Sequence, residues 1–256
     1  MMFRSNSRVG YGHPHARGVS ANVRARGTLR TGAFLCALWL VASCSSMFPT
    51  TYRYRMTVNV NAGGRIISGS SIVEVATSRG SGVPNSALRE RIRGEAAAVR
   101  LPSGALVLVL LNDANYGDAA QRLAFAAYGA SFTDIGPDPD TFALLKRLKA
   151  HREIVQLPRG DYPMVIKFEN LNDPRSAVLA DPGSIEIYRG GRVFIESIKI
   201  QITSDSLEYK LADMFPWWDD YLDKYLDGGT ISITKFQDKS VRARVGPRSM
   251  STEMLK

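Results

Sequence analysis

The chain has 256 residues, with 33 Lys+Arg against 24 Asp+Glu and a formal net charge of +9. Six arginines and no acid precede Cys44, so the residues from Cys44 onward hold 27 basic and 24 acidic side chains, a net of only +3; the basic balance sits in the leading segment and gives no ground for nucleic-acid binding. Cys36, His13 and His15 lie before Cys44, so a chain that loses those residues as a leader keeps only Cys44 and His151, which excludes an intramolecular disulfide and Cys₄ or Cys₂His₂ zinc sites and requires any Ser-His-Asp triad to use His151.

Residues 1–43 read as a cleaved signal peptide. Arg4, Arg8, Arg17, Arg24, Arg26 and Arg30 form a positive region without acids, and the first acidic residue of the chain is Glu74. Gly32–Ala42 is apolar or small, but its eleven residues fall well short of the roughly 20 that span a bilayer as a helix. The string Val41-Ala42-Ser43-Cys44 resembles a bacterial lipobox. That resemblance implies cleavage between Ser43 and Cys44 and acylation of Cys44, with residues 44–51 as a lipidated amino terminus and tether. An ordinary signal-peptidase cut near Cys44, a free thiol and an arginine-rich transit peptide are the other readings; the compact apolar core ending at Cys44 favours the lipobox. In lipoproteins of two-membrane bacteria an Asp after the lipidated cysteine favours inner-membrane retention. Ser45 stands there, which implies an outer-membrane address facing the periplasm.

Past the tether, Tyr52, Tyr54, Met56, Val58 and Val60 alternate with Arg53, Arg55, Thr57, Asn59 and Asn61. This period of two predicts a strand with one buried and one wet face. Asn61-Ala62-Gly63-Gly64 supplies a turn, and Ile66–Val75 is expected to pair back. Residues 77–90 read as a loop, and Arg91–Leu101 as one strand. The uninterrupted apolar run Ala105–Leu111 suits a strand buried on both faces.

Asp118 is placed to cap a helix over Ala119–Tyr128 that ends at Gly129, and Asp138 to cap a second with Pro139 at its first position. Lys146, Arg147 and Lys149 suit the second helix's carboxyl end. Tyr162–Glu169 is read as a strand alternating Tyr162, Met164, Ile166 and Phe168 against Lys167 and Glu169. Arg192–Thr203 follows as a strand placing Phe194, Ile198, Ile200 and Ile202 on one face. Leu207–Leu226 is expected to be partly helical, broken at Pro216; Thr230–Phe236 is a last strand, and residues 239–256 a polar, frayed tail. The fold class is α+β, mainly antiparallel and sandwich-like, with two or three inserted helices and one globular domain over residues 52–238.

Few constellations suggest chemistry. Asp219, Asp223 and Asp227 would share one face of a helix, as a hard-cation site needs or as a solvated stripe shows. Asn112–Asp118 has alternating oxygen ligands but lacks the closing Glu of a calcium loop, and turn chemistry explains it. Glu169, Asp173 and Asp181 are the carboxylates a glycosidase would draw on. Trp217 and Trp218 flank Pro216 with Phe215; as exposed aromatics they are candidates for a ligand or interface surface, and as core anchors they are ordinary. No P-loop, G-x-S-x-G or dinucleotide fingerprint occurs, and no metal or other cofactor is expected.

Several strings occur together: Tyr52-Arg53-Tyr54-Arg55, Ser68–Val75, Tyr162-Pro163-Met164-Val165-Ile166, Leu171–Ser176 and Ile200-Gln201-Ile202-Thr203. In these, about residues 40–236 resemble a family of uncharacterised proteobacterial lipoproteins. The resemblance implies lipidation at Cys44 and no particular activity. The sequence thus leads to the expectation of an envelope protein with a structural or binding role. Its partners would be membrane lipid, through the acyl chains, and an envelope protein or glycan. The alternative is a periplasmic hydrolase using carboxylates or a serine.

Overall fold

A computed structural model describes residues 49–79, 88–112, 119–129, 139–231 and 240–252. The leader, Ser43, Cys44, most of the tether, the Asp118 and Asp138 caps and the 113–118 loop lie outside the described residues.

The strand predicted from strict alternation is β1 (Thr50–Ala62), whose inward residues Tyr54, Met56, Val58 and Val60 are fully buried. It turns at Gly63-Gly64 into β2 (Arg65–Arg79), with register Tyr54↔Val73 and Met56↔Ser71. β2 is longer than expected. It continues through Thr77–Arg79 and pairs with β3 (Leu88–Gly94), so the strand ends take up much of the segment read as a loop. The other edge of β1 is taken by β10 (Gly191–Thr203), which also carries β6 (Ile154–Gln156) and β9 (Glu186–Tyr188). The large sheet runs β3-β2-β1-β10-β6, with β9 on β10, every pair antiparallel.

One parity expectation fails on β10. Asn59 pairs with Ser197 and Val60 with Ile195, which leaves Glu196 as an extra residue. Such a bulge inverts the side-chain alternation beyond it. Val193 and Ile195 therefore point inward with Ile198, Ile200 and Ile202, while Phe194 sits opposite Asn61 on the other face.

A second sheet, β4-β5-β7-β8, is built from Ala97–Arg100, Leu106–Val109, Val165–Phe168 and Ala177–Leu179. The expected Arg91–Leu101 strand is thus two strands in different sheets, divided where Gly94 crosses at φ +139°. Val99, Val107, Val109 and Val165 face the large sheet, sharing a core with α1 (Ala120–Ala127) and α2 (Pro139–Leu148). Leu106, Leu108, Ile166 and Phe168 face the other way. β5 is therefore buried on both sides, as its apolar run predicts. β7 is too, contrary to the alternation read into it: Lys167 is 9% exposed and pairs with Glu169 at 3.2 Å and Glu186 at 3.5 Å.

The outer layer on the small sheet is formed by residues from Leu211 to Met250, including α3 (Leu211–Met214) and α4 (Pro247–Met250). Only Leu211–Met214 and a 3₁₀ turn at Asp219–Tyr221 are helical in the segment expected to be helical around Pro216. Of the Thr230–Phe236 strand only Thr230 and Ile231 are described, with Thr230 bridging Lys224. The segment read as a polar tail packs instead. Val241, Val245 and Met250 are buried, and Ala96 N donates to Met250 O at 2.7 Å. Its apolar residues are too few to score as a strand or helix, yet they fall where the small sheet needs cover. Met47–Lys256 forms a compact unit of its own.

The two sheets come close at Gly69 on β2, where a Cβ would lie 1.9 Å from the Ala98 carbonyl oxygen of β4. Backbone cannot yield as a flexible side chain can. Gly69→Ala should cost about 2–4 kcal/mol in urea unfolding. Gly160→Ala, which meets nothing within 4 Å, should stay within about 1 kcal/mol of wild type.

Candidate functional site

The outward face of the large sheet is polar along β1; Ile66, Ile154 and Ile187 are exposed on its other strands, and three of its ionic groups stand abreast at one end. At the hairpin end Asn59 joins Ser197 (2.9 Å) and Ser68 (2.7 Å) in a neutral amide–hydroxyl ladder. At the end where β1 begins, the pairings Arg53↔Glu74 and Glu74↔Arg93 set three ionic groups abreast on β1, β2 and β3. Glu74 is 7% exposed and is held by Arg53 Nε at 2.7 Å and Arg93 Nη1 at 3.4 Å. A carboxylate this far from water is retained because it has two charged donors. Arg91 and Arg89 extend the row along β3, opposite Ala76 and Ser78.

A cavity of about 490 Å³ opens at this end, lined by Thr51, Arg53, Glu74, Lys149, Arg152 and Thr203 among others. Lys149 arrives from the end of α2, whose last turn also carries Lys146 and Arg147. The following loop is pinned by Tyr128. Its hydroxyl donates to Glu153 O at 2.8 Å and accepts from Ile202 N at 3.3 Å, and its ring stacks on His151 at 4.7 Å. Burial raises the Tyr128 pKa above the usual phenol value. The Glu153 carboxyl is held below the usual range by its own and the Arg152 backbone N–H, then by His151. Gln201 Nε2 adds a 3.4 Å bond to Arg152 O, fixing the Arg152 backbone against β10.

A second, more polar cavity of about 340 Å³ lies beside Arg55, Ser70, Glu95, Asp205 and Lys210. Arg55 is neutralised there by Asp205, whose carboxyl is held low by the Thr203 hydroxyl first and Arg55 next. Glu95, 6% exposed, accepts from Lys210 N at 2.8 Å and Leu211 N at 3.1 Å, a bracing role at the start of α3.

The residues singled out from sequence fare differently. Trp217 and Trp218 are 6% and 4% exposed, so neither offers a surface for a ligand or an interface. Trp217 packs at a tilt against Phe215 at 4.8 Å, donates Nε1–H to Leu171 O at 2.9 Å, and belongs to the core over the small sheet. Asp219, Asp223 and Asp227 share no helical face, because the chain is a 3₁₀ turn and then irregular; among the described residues no three His, Cys, Asp or Glu gather as metal ligands. Asp173 caps the turn at Pro174–Ser176 by accepting from Arg175 N, Asp181 accepts from Gly183 N, and Glu169 pairs with Lys167. His151 is exposed and lies 3.2 Å from Glu153. Sequence reasoning passed over Arg89, Arg91 and Arg93, although their alternation with Glu90 and Ile92 is a strand signal, and assigned Lys149 to the helix dipole alone.

Comparison of the chain with protein families, with curated proteins and with solved structures finds no match.

The arginine–glutamate–arginine row depends on its central charge. Glu74→Gln should lower stability by about 1–3 kcal/mol at low ionic strength, because it leaves two guanidiniums facing a neutral amide. Added salt should recover part of that loss in urea titrations, by screening the remaining repulsion.

Proposed function

We infer that this is a lipid-anchored protein of the bacterial cell envelope, acylated at Cys44 and held at the outer membrane facing the periplasm, that works by binding and not by catalysis. The observation that carries the reading is the apolar run ending in Val41-Ala42-Ser43-Cys44, behind an arginine-rich, acid-free segment. The resemblance to uncharacterised proteobacterial lipoproteins agrees with it. The fold is compatible, since β1 begins at Thr50, six residues after Cys44, so the domain starts where the anchor ends.

Binding is favoured over hydrolysis by how the titratable groups are used. Glu169, Asp173, Asp181 and Glu95 are each engaged in an ion pair or in bracing backbone N–H groups. The open cation-lined cavity at Arg53, Lys149 and Arg152 is the feature suited to a partner, and its chemistry calls for an anionic one. Labelled palmitate should enter the wild-type chain and be lost in Cys44→Ala, and mass spectrometry should find an acylated cysteine as the first residue. Equal labelling of both proteins, or an intact leader in the purified product, would remove the basis for the anchor.

A further inference from the structure

We propose that the end of the large sheet where β1 begins is a docking surface for the phosphates of anionic phospholipids, in the same bilayer that holds the Cys44 acyl chains; the inference rests on that anchor. Two observations carry it. The first is charge. Arg53, Arg89, Arg91, Arg93, Lys149 and Arg152 converge on this end, with Glu74 and Glu153 among them and Glu90 on the opposite face of β3. Glu74 is already shared between Arg53 and Arg93, and Arg55 is cancelled by Asp205. A positive excess remains, whereas the Asn59 row, with Ser68 and Ser197, is neutral and the Thr57 row holds a single exposed cation, Lys199.

The second observation is position. Cys44 and Thr50 are six residues apart, so the chain between them spans at most about 20 Å fully extended. The strand end that receives this tether is the cationic one, and the hairpin at Gly63-Gly64 is the far end. An anionic bilayer attracts surface cations within about a Debye length, 8–10 Å at physiological salt. Acyl chains supply the depth of anchoring, and a basic patch beside them fixes which face of the domain meets the headgroups. The bilayer is the one anionic surface that a tether this short keeps permanently within reach.

The test uses the full chain carrying Cys44→Ser, which cannot be acylated, so binding reports the protein surface alone. Sedimentation with phosphatidylcholine vesicles is compared with sedimentation with equimolar phosphatidylcholine–phosphatidylglycerol vesicles. In this background Arg89→Ser/Arg91→Ser is set against Arg65→Ser/Arg192→Ser, an equal loss of charge at exposed positions of the hairpin end. All forms share the leader arginines, so differences between them belong to the sheet. A surface cation contributes about 1 kcal/mol at an anionic membrane, roughly fivefold in affinity. The Arg89/Arg91 pair should therefore weaken binding to the anionic vesicles more than tenfold, and the Arg65/Arg192 pair by about twofold at most. Equal losses from the two pairs, or no preference for the anionic vesicles, would overturn the proposal and direct these arginines to a soluble acidic partner. Palmitate labelling of the wild-type chain reads the anchor separately, so the failure of one inference is distinguishable from failure of the other.

Discussion

Everything in the domain is built on β1, because it is hydrogen-bonded along both edges and must satisfy two environments at once. Its inward residues lie at the centre of the main core, and its outward residues stay polar along their length. The strict period of two is what permits this. Two of the inward residues also do positional work. Tyr54 is fully buried, and its hydroxyl reaches across the core to donate to Ala120 O at 2.8 Å. Tyr52 does the same to Gln121 O at 3.4 Å. Each ring supplies apolar area while its buried hydroxyl finds an acceptor in the first turn of α1, so the strand fixes where the helix sits.

The small sheet solves a different problem. Covered on one face by the large sheet and on the other by residues 211–250, its central strands β5 and β7 have no wet side, and alternation would be a defect in them. That is why Leu106–Val109 is apolar without interruption. It is also why Lys167 needs two carboxylates, since a cation 9% exposed is tolerated when paired. The aromatic cluster of Phe168, Phe215 and Trp217, with centroid separations of 4.8–5.9 Å, closes the outer core. A cluster of this kind contributes about 0.5–1.5 kcal/mol per pair beyond area burial. The two tryptophans after Pro216 are thus consumed by packing, which a sequence rich in aromatics at one point does not distinguish from display.

What the sequence disclosed and what it hid follow from the range of the interactions involved. β1, its hairpin, β5 and the two larger helices are set by local periodicity, and each is legible in the chain. The Glu196 bulge is not. It arises from how two strands, far apart in sequence, fit each other, and it moved Phe194 to the opposite face from the one its spacing suggested. The division of Arg91–Leu101 is likewise tertiary: Gly94, Glu95 and Thr252 meet at the crossover, where Thr252 N donates to Gly94 O at 2.9 Å and Gly94 N to the Thr252 hydroxyl at 2.8 Å. Residues 240–252 look expendable by composition but complete a core begun 140 residues earlier. The cationic end was hidden for the same reason, since its members come from β1, β3 and the loop after α2.

The crowding of arginines around Glu74 is harder to explain as solubility. A solvent-facing sheet needs hydrogen-bonding side chains, and the Asn59–Ser197–Ser68 ladder meets that need without a formal charge. Charges placed for solubility would be mixed in sign and spread along the strands. Here guanidiniums from neighbouring strands are brought abreast around one shared carboxylate, at one end only. Crowding like charges costs free energy that screening only partly removes, and Glu74 offsets part of that cost by standing between two of them. A fold that keeps such an arrangement gathers these guanidiniums at the strand end nearest Cys44 in sequence, and the shared carboxylate is what makes that crowding tolerable.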